Sequence, residues 1–162
     1  LYERPANKFV AGFIGNPPMN FFPVMVEAAK GGIRLRHASF TLVVPKSLIE
    51  AVRPHVGKEV VFGIRPEDLY DRLFYNYPVP HNSSVNAVVD VVEPMGSEVY
   101  LYLKSGTVDL VVRVPSYVKA EAGKQMELVI NLERMHLFDS QTGQAFLKPA
   151  PRSVPPVQSV PA

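Results

Sequence analysis

After residue 23 the apolar residues of this chain recur with a period of two, not the 3.6 of a helix. VMVEAA (24–29) and IRLRHASFTLVV (33–44) flank Lys30-Gly31-Gly32, a hairpin turn. In the second of these strands Ile33 and Leu35 point one way, and Arg34 and Arg36 the other. EVVFGIRP (59–66) reads as a strand ended by Pro66, and SVNAVVDVVEP, EVYLYLK, VDLVVRVP and MELVINL as further strands rich in Val and Tyr. Gly96-Ser97 and Ser105-Gly106 mark turns between three of them. MHLFD and QAFLK form a last hairpin across Ser140-Gln141-Thr142-Gly143, where Asp139 can bond the turn backbone and Gly143 can take positive φ. Many short strands with regular turn signals favour a barrel or sandwich over an α/β sheet.

A half-repeat narrows this further. LVVP (42–45), a short helical piece from Lys46 to Arg53, and GKEVVFGIRPE (57–67) are echoed downstream. The echo is VRVP (112–115), a shorter piece from Ser116 to Ala122, and GKQMELVINLE (123–133). Gly57 aligns with Gly123, Lys58 with Lys124, Ile64 with Ile130 and Glu67 with Glu133. Such self-similarity predicts two related β units closing into one small barrel of OB or MOP type, mainly β, with an N-terminal helix and short connecting helices. The domain reading is an N-terminal helix and linker over 1–20, the barrel over 21–148 and a Pro-rich extended or disordered tail over 149–162. The helix is expected at 5–14, with Pro5 in its first turn and Phe9, Val10, Phe13 and Ile14 on one face. It stops at Gly15, before Pro17 and Pro18, and extended chain follows from Asn20 to Val26.

The chemistry is sparse. Gly57-Lys58 and Gly123-Lys124 are followed by Glu59 and Gln125 where a P-loop needs Ser or Thr, and Val52 and Val118 stand where its first Gly belongs. No G-x-S-x-G elbow is present. His37, His55, His81 and His136 lack a second His at ligand spacing, so they read as structural or surface residues. Glu67-Asp68 is the best acidic pair, but without a pocket to split two pKa values it reads as a strand exit with solvated charges. Glu93 and Glu98 flank Pro94-Met95-Gly96-Ser97 and read as turn residues first. No catalytic, cofactor-binding or metal-ligating residue is therefore assigned. Cysteine is absent, which removes disulfides and thiolate metal sites and fits a reducing compartment. No run of 18 apolar residues occurs, so no membrane-spanning helix is expected. Glu3, Arg4, Asn7 and Lys8 interrupt any signal-peptide core. The chain opens without Met, and its expected true start lies upstream.

Two further readings stay open. Backbone nests at Gly96-Ser97 and Ser105-Gly106 would suit a small oxyanion. The aromatic stretch LYDRLFYNYP (69–78), with Arg72 inside it, would suit single-stranded nucleic acid on an OB barrel. A net charge of +2 argues against the nucleic-acid reading, and a loop packed over the barrel mouth accounts better for the aromatics. Asn82-Ser83-Ser84 matches a glycosylation acceptor pattern and is read as a chance match, as no signal-peptide core is recognised in the sequence.

Several stretches together resemble one family. LYERPANKFVAGFIGNPPMNFF resembles the junction that follows the ATPase domain in ATP-binding subunits of maltose, multiple-sugar and glycerol-3-phosphate ABC importers. VFGIRPEDL, VVEPMGSEVYLYL and MHLFDSQTGQAFL resemble three successive motifs of that family's C-terminal regulatory (TOBE) region, so the likeness covers residues 1–148. It implies an OB-like barrel related to molybdate-binding domains, non-catalytic in itself, which contacts its own copy across a dimer. It implies other partners too: an ATPase domain in cis, membrane permease subunits through the parent, and a cytoplasmic regulator. The implied place is the inner face of the cell membrane, held there through the parent complex. ATP and magnesium would belong to the parent, because the Walker and signature motifs match no position here. The 69–78 and 94–98 loops and the exposed strand faces are expected to carry contacts.

Overall fold

The computed structural model describes residues 18–151. The expected helix at 5–14 lies outside the described residues, as does nearly all of the Pro-rich tail. The first unit contains β1 (Asn20–Ala29), β2 (Gly32–Arg36), β3 (Thr41–Val43), β4 (Glu59–Ile64) and β5 (Leu69–Asp71). The second contains β6 (Ser84–Met95), β7 (Glu98–Ser105), β8 (Val108–Pro115), β9 (Gln125–Ile130) and β10 (His136–Asp139), and β11 (Ala145–Leu147) follows. All the pairings are antiparallel.

The half-repeat is real in three dimensions. Shifted by 66 residues, β4 falls on β9, from Glu59 on Gln125 to Ile64 on Ile130. The 3-10 turn Pro66–Asp68 falls on Leu132–Arg134 by the same shift. Gly57 and Gly123 sit at φ 89° and 88°. Their amides donate to Val26 and Val89 at 2.8 and 2.7 Å. The two sheets run β11-β10-β4-β1-β2-β3 and β5-β9-β6-β7-β8. Each unit therefore gives its last strand away. β5 pairs with β9 of the second unit, and β10 returns to pair with β4 of the first.

Both sheets curl, because period-two strands bury one face and twist as they do so. β5 and β8, the two edges of the second sheet, pack against each other. Leu35, Leu42, Phe62 and Ile64 fill the first unit, and Leu101, Leu103 and Leu128 the second, all within one buried cluster. Each such side chain contributes about 1.5–3 kcal/mol by leaving water. Asn20 ties the units: its side chain donates to the Val111 carbonyl at 2.8 Å and accepts the Val111 amide at 2.7 Å. A smaller cluster of Met19, Phe21 and Phe138 lies at Gly63, where an added Cβ would meet the Met19 sulfur at 2.7 Å.

Two local expectations are corrected. IRLRHASFTLVV is not one strand but two, β2 and β3, folded back on each other with Arg36 opposite Thr41. The His37 amide closes the turn onto the Phe40 carbonyl, and His37 Nδ1 accepts the Ser39 amide. These local bonds outcompete the ladder. The shorter piece at 116–122 is turn and irregular chain and contains no helix. Pro115 and Gly123 are four residues closer together than Pro45 and Gly57, about one helical turn. The first unit keeps its helix, α1 (Ile49–Val52), between 3-10 turns at Lys46–Leu48 and Arg53–His55.

Candidate functional site

The strand exchange creates two crossovers, one after β4 and one after β9, and polar side chains gather at both. At the first, Arg65, Glu67 and Asp68 are 2%, 7% and 1% exposed. The expected solvated strand exit is therefore a buried polar cluster. The reason is the exchange: the segment must pass between the units to deliver β5, and the turn packs against β8. Arg113 on β8 lies 3.9 Å from Glu67 and 3.0 Å from Glu98, so it links the crossover to the 94–98 turn.

At the second crossover, Asn131 stands where the repeat places Arg65, and it is half-buried. Ser47 Oγ donates to both Glu133 carboxylate oxygens at 3.1 Å, which joins the first unit's 3-10 turn to the second unit. A cleft of about 320 Å³ opens beside it. The first unit supplies Val43, Pro45 and Lys46 to its wall, and the second supplies Asn131, Leu132 and Glu133. Tyr75, Pro80 and His81 line it from the connecting loop.

That connection covers the barrel with aromatics. Tyr70, Tyr75 and Tyr77 stand in a row with ring centroids 5.3 and 5.5 Å apart. Burial raises the Tyr75 pKa, with the neighbouring Tyr77 adding to the effect. Asp71 caps the Arg72–Phe74 turn by accepting the Leu73 amide at 3.0 Å, and burial lifts its carboxyl above the usual range. Leu73 is 87% exposed. A second, more charged groove of about 500 Å³ runs beside it, lined by Arg72, Lys119, Lys124, Glu121 and Glu127.

The two candidate nests differ. Gly106 takes φ 60°, but Ser39 lies against it so closely that a Cβ there would meet the Ser39 hydroxyl at 1.8 Å. Ser105 Oγ donates instead to the Asn86 carbonyl. The Ser105-Gly106 turn is thus covered, while Gly96, at φ 80°, faces open space. The four histidines do not converge. His37 stacks on Phe40, His55 on Phe146, His136 is buried in β10, and His81 lines the cleft. Among the described residues no three His, Asp or Glu side chains are grouped to hold a metal ion. Among the described residues no helix is long and apolar enough to cross a membrane. The cleft was not legible in the sequence; the repeat alignment sets Arg65 opposite Asn131, but only the structure shows the space beside Asn131.

The MalK OB fold domain matches residues 15–69, and the TOBE domain matches residues 62–138. The trehalose/maltose import ATP-binding protein MalK of Thermococcus litoralis is 40% identical over 145 residues, covering 90% of this chain and 39% of that protein. The oligosaccharides import ATP-binding protein MsmX of Bacillus subtilis is 36% identical, covering 88% of this chain and 38% of its own length. The multiple sugar-binding transport ATP-binding protein MsmK of Streptococcus mutans is 40% identical, with 90% and 38% covered. The chain thus spans well under half the length of the curated relatives it matches. Its fold is also that of the cytoplasmic molybdate-binding protein ModG, solved with molybdate bound, at a TM-score of 0.57 and 17% identity, over 73% of this chain and 94% of that one.

Proposed function

The chain belongs to the family of MalK-type OB and TOBE domains found in sugar-importer ATP-binding subunits, and on that premise we propose that it is a non-catalytic regulatory and dimerisation domain of such a subunit. The observation that carries this reading is the ordered pair of domain matches on a barrel whose two units are locked by strand exchange. A rigid body of that kind serves as a hinge while attached ATPase domains open and close. A regulator bound to it shifts the equilibrium only by its differential affinity for the two states. ATP and magnesium act in the ATPase domain of the parent, which would sit on the inner face of the membrane against permease subunits. Nucleic acid is not among the proposed partners, given the near-balanced charge.

Two exposed apolar points fit contacts with a second copy or a cytoplasmic regulator: Leu73 in the 69–78 loop, and Met95, 54% exposed, at the 94–98 turn. The test is sedimentation of the 162-residue chain across the micromolar range. A concentration-dependent dimer weakened by Met95→Asp or Leu73→Asp is expected, and a monomer throughout would remove the dimerisation role. The coding sequence upstream of Leu1 supplies an independent check, since a P-loop there would lie about one ATPase domain, roughly 200 residues, away.

A further inference from the structure

We propose that the cleft at the second crossover binds a neutral, polyhydroxylated small molecule of about monosaccharide size. The two crossovers are built on one plan and filled differently. At the first, the long Arg65 side chain occupies its own crossover at 2% exposure. At the second, the repeat puts the much shorter Asn131 in that place, and about 320 Å³ stands open beside it. That volume lies at the lower end of small-molecule sites, about 300–1,000 Å³.

The lining selects the chemistry. Its apolar surface comes from Val43, Pro45, Pro80 and Leu132, with Tyr75 beside them. Its polar lining residues are Lys46, His81, Ser83, Asn131 and Glu133. Lys46 and Glu133 carry opposite charges, so the cleft has no net charge that would favour a phosphate, an oxyanion or a polycation over a neutral ligand. An anion entering it meets Glu133, whose carboxylate Ser47 holds in place. A wholly apolar ligand would strip water from the amide and carboxylate without replacing the lost hydrogen bonds. A sugar satisfies both sets: its hydroxyls bond the planar amide and carboxylate, and its C–H face covers the apolar wall and the Tyr75 ring. Because the walls come from both units, a bound molecule clamps β3 of the first to the end of β9 of the second. That such a ligand reports on transport rests on the regulatory reading above; the binding itself does not.

The test is a backbone-amide NMR titration of the 162-residue chain with glucose, maltose and trehalose, with glucose 6-phosphate and molybdate as charged comparators. Saturable shifts at roughly millimolar neutral sugar are expected, confined to residues 43–46, 75–83 and 129–133. Asn131→Arg, which copies the filled first crossover, should abolish them while leaving the remaining spectrum in place. Asn131→Ala should weaken binding about tenfold through one lost hydrogen bond. The proposal is overturned if neutral sugars cause no shifts, if the charged comparators bind more tightly, or if the shifts persist in Asn131→Arg. The sedimentation test needs no sugar, so either result stands without the other.

Discussion

Asn20 does with its side chain what a strand residue does with its backbone. It offers an acceptor and a donor to Val111, and a second donor contact to the Ile64 carbonyl at 3.2 Å. Asn20→Ala leaves the Val111 amide and carbonyl facing an apolar methyl group. The expected loss is about 1–2 kcal/mol, because the part-buried Val111 groups lose their partners but keep some access to water. Urea unfolding measures it, and an unchanged midpoint would mean that water or a neighbour replaces the amide. His55 is sensitive to pH. Its ring stacks on Phe146 with centroids 3.5 Å apart, and burial, aided by the Lys58 ammonium and opposed by Asp139, holds its pKa below the ordinary value of 6.5. The folded state therefore prefers the neutral ring. Its contribution is complete above pH 6.5 and is lost as pH falls below that value, where the unfolded chain takes up the proton first. His55→Phe should flatten the fall in stability on the acid side of pH 6.5, read as urea midpoints at several pH values.

At the scale of elements, Gly57 and Gly123 give the repeat a physical signature. Both hold positive φ, both donate to a valine carbonyl on the neighbouring strand, and neither has any atom within 4 Å of an added Cβ. Alanine at either position is therefore a purely backbone perturbation, expected to cost about 1–2 kcal/mol and nearly the same amount at both. Markedly unequal losses by thermal unfolding would mean that the units are alike in sequence but not in energetics. This repeat was legible because glycine at positive φ has few substitutes, and so were the strands, because period two is a strong signal. The Asp139 hairpin was legible for the same kind of reason: its carboxylate accepts the Gln141 and Thr142 amides at 2.9 Å, as turn chemistry requires. What escaped was anything set by partners distant in sequence. The turn at 37–40 depends on His37 and Phe40 packing against Phe22 from β1. The burial of Glu67 and Asp68 depends on β8, more than 40 residues downstream. The cleft depends on a difference between Arg65 and Asn131 that acquires meaning only once the crossovers are seen to be equivalent.

The exchange of β5 and β10 should make residues 20–147 a single unit of folding. One buried cluster runs through both halves, and each sheet contains a strand from the other half of the chain. A sheet that lacks its exchanged strand presents an unpaired edge at β4 or β9 and uncovers the side chains beneath it, Phe62 and Ile64 in one unit and Leu128 and Ile130 in the other. Equilibrium unfolding should therefore be one transition, with no state in which one unit stands alone. Cutting the chain within the exposed connection at residue 78 tests this directly. The piece 1–78 keeps β1 to β4 but has no β10 to pair with β4, and the piece 79–162 keeps β6 to β10 but has no β5 to pair with β9. Each piece alone should give a poorly dispersed amide spectrum, and mixing the two should restore the dispersion of the intact chain. Two independent mini-barrels would behave otherwise: each piece would be well dispersed before mixing, and mixing would change nothing. The same coupling predicts that a ligand or partner bound at one crossover is felt at the other. Arg65–Asp68 and Asn131–Arg134 meet through the Asn131 backbone amide, which donates to the Asp68 carbonyl at 3.0 Å, so a shift of either crossover strains that bond.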